Sequence, residues 1–204
     1  MSRALRALPR VFITFVVVAV VSVLASPAEA DTVRIGDPRG DVQTYVSQDG
    51  VSSRHKVVDR PSLDLTGFRV TYDRTRIRAL LRYDDLAYSP YVMYWSTLYF
   101  YHRAPGSDVY TRGTVELFTS RSYQGGYTYT SFEEFGRTCK ANHKVDYQRD
   151  QVAISIPSSC INNLDEVLVS VDSWQSARSN SGRFFYDVAP DEDRSAVPVA
   201  RAAS

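Results

Sequence analysis

Side chains in this chain change character at every second residue, and that period limits what it can fold into. Phe68, Val70 and Tyr72 alternate with Arg69 and Thr71. After Asp73-Arg74-Thr75, the residues Ile77, Ala79, Leu81 and Tyr83 alternate with Arg76, Arg78 and Arg82, with Leu80 the one exception. Such alternation gives a strand one apolar and one polar face, and two runs joined by a short polar turn make a hairpin over a core. Val92 to Arg103, Val109 to Phe118 and Tyr123 to Phe132 read as further strands, with a bulge expected at Gly113 and a turn or bulge at Gly125-Gly126. A second hairpin is expected over Val145 to Ile156, turning at Arg149-Asp150, and Val167, Val169 and Val171 mark a last clear strand. Pro157 to Cys160 is expected to form a helical turn, and Gln43 to Arg60 a long loop or short edge strand. No helical stripe occurs beyond residue 30. About seven to nine short strands point to an all-β fold, an antiparallel β-sandwich of jelly-roll or immunoglobulin-like type. A closed barrel would show the same alternation.

The first 30 residues differ from everything after them. Arg3, Arg6 and Arg10 precede an apolar run from Val11 to Leu24, followed by Pro27 and the small residues of Ala28-Glu29-Ala30. That order is the signature of a cleaved secretory signal peptide. The run has 14 residues, short of the roughly 20 that a spanning helix needs. The expected organisation is a signal peptide at 1–30, one β-sandwich domain at 31–188 and a flexible tail at 189–204, where Ala, Pro and charges dominate. The leading segment holds three arginines and one glutamate, so the rest carries 21 basic and 22 acidic residues, a net charge of about −1. No long-range field then draws the domain onto nucleic acid or an anionic membrane, and no membrane span is expected after cleavage.

Cys139 and Cys160 are the only cysteines. In an exported chain an even count favours a disulfide, and the spacing is not that of a redox C-x-x-C pair. The bridge is expected to be structural.

Three groups of residues are candidates for chemistry. In Asp37-Pro38-Arg39-Gly40-Asp41, two carboxylates flank Pro and Gly, so both can converge on one point of a loop. Calcium is the cation such oxygens would take, with Asp64, Asp187 or backbone carbonyls completing the shell. The plainer reading is a solvated turn whose Asp side chains cap backbone amides. Along Val92 to Arg103, Trp95, Tyr99 and Tyr101 share a strand face with Met93 and Thr97. Aromatic rings with a polar edge suit sugar binding, because the ring face stacks on apolar C–H groups, although aromatics fill cores equally well. Arg69, Arg78 and Arg82 make a cationic row able to bind carboxylate or phosphate, or simply the wet face of a sheet. Catalytic signatures are thin. There are three histidines, no H-E-x-x-H or G-x-S-x-G motif, and nothing that singles out Glu116, Glu133 or Glu134.

Asp37-Pro38-Arg39-Gly40-Asp41, Asp64, Tyr83-Asp84-Asp85-Leu86 and Ile156-Pro157-Ser158-Ser159-Cys160 occur in an order that resembles a group of small secreted proteins of high-GC Gram-positive bacteria. That resemblance implies export, a sandwich and the disulfide. The opening Asp-x-x-Gly-Asp before alternating strands is also similar to carbohydrate-binding modules of family 9. This second resemblance implies structural calcium near the first loop and sugar held between aromatics, although the Trp that often follows the acidic motif in such modules is missing here. The expected function is a secreted, non-catalytic binding module for a polysaccharide or other cell-envelope component. The alternative is an exported structural or protein-interaction component without a small ligand.

Overall fold

A computed structural model describes residues 31–48, 51–89, 92–120, 123–176, 183–190 and 196–202. The expected signal peptide, 1–30, lies outside the described residues. The fold is all-β and consists of two antiparallel sheets packed face to face. Among the described residues there are thirteen strands: β1 (Asp31–Gly36), β2 (Gln43–Gln48), β3 (Val51–Val57), β4 (Leu65–Tyr72), β5 (Arg76–Tyr83), β6 (Tyr94–Arg103), β7 (Tyr110–Ser120), β8 (Tyr123–Ser131), β9 (Asn142–Asp146), β10 (Gln151–Pro157), β11 (Glu166–Ser176), β12 (Arg183–Ala189) and β13 (Val197–Ala200). The smaller sheet has the order β1-β4-β5-β10-β9, and the larger β3-β2-β12-β11-β6-β7-β8, with β13 also on β11.

Alternation places the core. Val70, Ile77, Leu81 and Ile154 from the smaller sheet meet Leu98, Phe100, Leu117, Val169 and Val171 from the larger one, all at most 2% exposed. Burying such side chains is worth about 1.5–3 kcal/mol each before entropy is counted. The β4–β5 and β9–β10 hairpins occur where alternation places them. Asp150, at the second turn, has φ +53°. The helical turn at Ser158–Ile161 is also present.

Three features differ from the sequence reading. Gln43 to Arg60, expected as a long loop or a short edge strand, holds an edge strand, β3, but also a second strand, β2, that pairs β3 to β12 inside the larger sheet. No bulge occurs at Gly113, because the β6–β7 ladder runs in register from Tyr94↔Thr119 to Arg103↔Tyr110. Glycine is needed there for space: a Cβ would lie 2.4 Å from the Phe132 ring. Of the tail expected at 189–204, the described residues 196–202 are also not free. Val197–Ala200 adds to β11 as β13, beyond the stretch that β12 covers, and Val199 is fully buried. Arg201 donates to the carbonyls of Asn163 and Arg74 at 3.0 and 2.7 Å, and the Ala202 amide donates to the Tyr72 carbonyl at 3.1 Å. The final segment thus joins the two sheets.

Cys139 and Cys160 are bonded, tying the segment before β9 to the turn after β10. Closing a loop of this length restricts the unfolded chain by about 3 kcal/mol. Cys139→Ala/Cys160→Ala should therefore melt about 6–12 °C below wild type in differential scanning calorimetry. A change of less than 2 °C would show that the bridge contributes little.

Candidate functional site

The outward face of the larger sheet follows from its inward face. On β6, Ser96, Leu98 and Phe100 are buried, so Trp95, Thr97, Tyr99 and Tyr101 point away from the core. The same reasoning turns Glu116 and Phe118 outward on β7, Asp172 and Trp174 on β11, and Tyr186 on β12. Strand register then aligns them across the sheet. Tyr127, Phe118, Trp95, Trp174 and Tyr186 pair successively across β8, β7, β6, β11 and β12. Five aromatic rings thus form one continuous row, spanning about 19 Å at the usual strand spacing.

The rings support one another. Trp95 lies 5.4 Å from Phe118, and Trp174 lies 4.2 Å from Tyr186, centroid to centroid. Tyr127 is 56% exposed, while Trp95, Phe118, Trp174 and Tyr186 are half-buried. An aromatic surface wet on one side and packed at its edges presents ring faces to a ligand with little rotamer entropy left to lose.

A polar row lies beside it. Tyr129, Glu116, Thr97 and Asp172 pair across β8, β7, β6 and β11. The Tyr99 hydroxyl donates to Asp172 Oδ2 at 2.8 Å. Burial raises the Asp172 pKa above the usual carboxylate range; hydrogen bonds from Tyr99, Thr97 and Trp174 oppose this, and the Glu116 carboxylate adds to it. Burial, followed by the Asp172 charge, also pushes the Tyr99 phenol upward. Of the three rings singled out in the sequence, Trp95 sits in the aromatic row, whereas Tyr99 and Tyr101 stack on each other at 6.0 Å farther along the strand. Phe118, Tyr127, Trp174 and Tyr186 are the members that sequence reasoning did not identify.

A second cluster lies at the end of the sandwich that holds the β1–β2 loop. Asp37 and Asp41 lie in that loop, Asp64 immediately before β4, and Asp187 on the inward side of β12. Carboxylate oxygens of Asp37, Asp41 and Asp187 all lie within 4.8 Å of one another. The Gly40 amide donates to Asp64 Oδ2 at 2.6 Å, and the Leu65 amide donates to Asp187 Oδ2 at the same distance. Burial, opposed by the Leu65 hydrogen bond and reinforced by the charges of Asp41 and Asp64, pushes the Asp187 pKa up to about 7. Asp64 is likewise raised, first by burial and then by Asp41 and Asp84 against the Gly40 bond.

The arginine row occupies the outward face of the smaller sheet. Arg69 and Arg78 border a shallow depression with Leu80, Lys144 and Ala153, and Arg78 is ion-paired with Asp73.

For Asp172 the sign of the pH effect is clear. A carboxyl with a raised folded-state pKa binds more protons folded than unfolded, so its contribution falls as pH rises through the folded value. Asp172→Asn should flatten that part of the pH–stability curve and leave the fold at least as stable at pH 7, as measured by urea unfolding from pH 4 to 8. An unchanged slope would contradict the assignment. No family model matches the chain, and no match to it is found among curated proteins.

Proposed function

We propose that the protein is an exported, non-catalytic module that holds a polysaccharide or other cell-envelope glycan across the outward face of its larger sheet. The observation that carries this reading is the aromatic row Tyr127-Phe118-Trp95-Trp174-Tyr186 with Glu116, Thr97 and Asp172 beside it. A glycan has apolar C–H faces that stack on rings and hydroxyl edges that hydrogen-bond to carboxylates and Thr. The ring row supplies the stacking faces, and half-buried Glu116 and exposed Tyr129 supply polar groups beside it, while Thr97 and Asp172, 6% and 4% exposed, lie buried next to them. Export is supported by residues 1–30 and by the disulfide, a bond kept in oxidising compartments.

Affinity electrophoresis and pull-down against a panel of soluble and insoluble glycans test the reading. Wild type should bind at least one glycan, and Trp95→Ala and Trp174→Ala should each weaken binding about tenfold or more, equivalent to about 1.4 kcal/mol, at a temperature where melting curves show both variants folded. Absence of binding across the panel, or both variants binding like wild type, would overturn it.

A further inference from the structure

We propose that Asp37, Asp41 and Asp187 bind one calcium ion, with Asp64 closing the site from the β4 side. This proposal stands independently of the glycan reading. Calcium–oxygen distances of about 2.3–2.6 Å place two ligands on one ion no more than about 5 Å apart. The three carboxylates, with oxygens mutually within 4.8 Å, already have that spacing.

A separate observation points to the same place. Asp64 is 2% exposed; Gly40 holds its Oδ2, but its Oδ1 is buried with no hydrogen-bond partner. Gln43 Oε1, on the strand that leaves the Asp37–Asp41 loop, is also buried without one. Buried acceptors without donors are costly, and a buried carboxylate needs compensating charge. Arg39, a cation in the same loop, pairs instead with Asp84 at 3.2 Å and is largely exposed. A divalent ion bound among these oxygens would supply the charge.

The donor set selects the metal. It consists of oxygens only, without His or Cys, which disfavours zinc and copper. Three separate chain segments supply the carboxylates, an irregular arrangement suited to calcium's six to eight flexible ligands rather than to a strict magnesium octahedron.

The ion would join distant parts of the chain. Asp37 and Asp41 follow β1, at the edge of the smaller sheet, while Asp187 belongs to β12 in the larger one. Asp187 is the immediate neighbour of Tyr186, the last ring of the aromatic row, and Gln43 is Tyr186's ladder partner. Calcium would therefore fasten the first loop to the strand that carries one end of the row.

The experiment uses the full chain, stripped with chelator and titrated with calcium chloride by calorimetry and thermal melting. Binding of one ion per chain is expected, with melting raised about 5–10 °C at a calcium concentration about a hundred times Kd. Magnesium at equal concentration should raise it less. Asp37→Asn and Asp187→Asn should lose the response, and Asp84→Asn should keep it. If Asp187→Asn does not fold, the loop variants Asp37→Asn and Asp41→Asn decide the matter. No binding heat and no melting shift up to about 10 mM calcium, well above the weakest extracellular sites, would overturn the proposal. So would an equal response to magnesium, or an undiminished response in the Asp37 and Asp41 variants.

Discussion

Leu98, Phe100, Val169 and Val171 meet Val70, Ile77, Leu81 and Ile154 in a layer closed to water, and the rest of the molecule is arranged around that contact. A strand has only two faces. Once one face is committed to the layer, every intervening residue is committed to the outside. The aromatic row is therefore not held by contacts of its own alone. A register slip on β11 would move Trp174 inward and Val171 outward, breaking the row and the core in the same step.

The layer is not uniformly apolar. Tyr83 reaches from β5 into the larger sheet, where its buried hydroxyl lies 2.7 Å from Ser96 Oγ and 2.8 Å from Ser173 Oγ. Burial pushes its pKa up to about 12, so it remains a neutral phenol that can both donate and accept. Ser96 and Ser173 are partners across the β6–β11 ladder, one position inside Trp95 and Trp174. Such a network ties the two sheets directionally at this point, where apolar contacts alone would allow sliding.

Much of the architecture is legible in the sequence because period 2 is a local signal. It marks β4, β5, β10 and β11, each with one buried face, and with them the sandwich. The edges are harder to read. β2–β3 lies in a polar stretch, and β13 has only Val197 and Val199 to show alternation amid Ala, Pro and charge. The site is split in the same way. Asp37 and Asp41 are visible from local spacing, whereas their approach to Asp187 depends on β12 pairing beside β2. Alternation from Val167, Val169 and Val171 does place Asp172 and Trp174 outward. That Trp174 then abuts Trp95, 79 positions away in the chain, depends on strand order, which no local pattern carries.

Strand order also explains why the acidic cluster and the aromatic row lie so close together. β12 is the one strand that contributes to both, with Asp187 facing inward and Tyr186 outward. A sheet of order β2-β12-β11 forces this arrangement: the residue that faces the β1–β2 loop must adjoin the residue that ends the row. Any change that shifts β12 relative to β2 is felt on both faces at once. Trp95, paired through Trp174 on the β12 side and Phe118 on the other, sits deeper in the sheet and is buffered from such a shift. The Tyr186 end of the row therefore depends on the acidic loop, while the Trp95–Phe118 centre depends on the core.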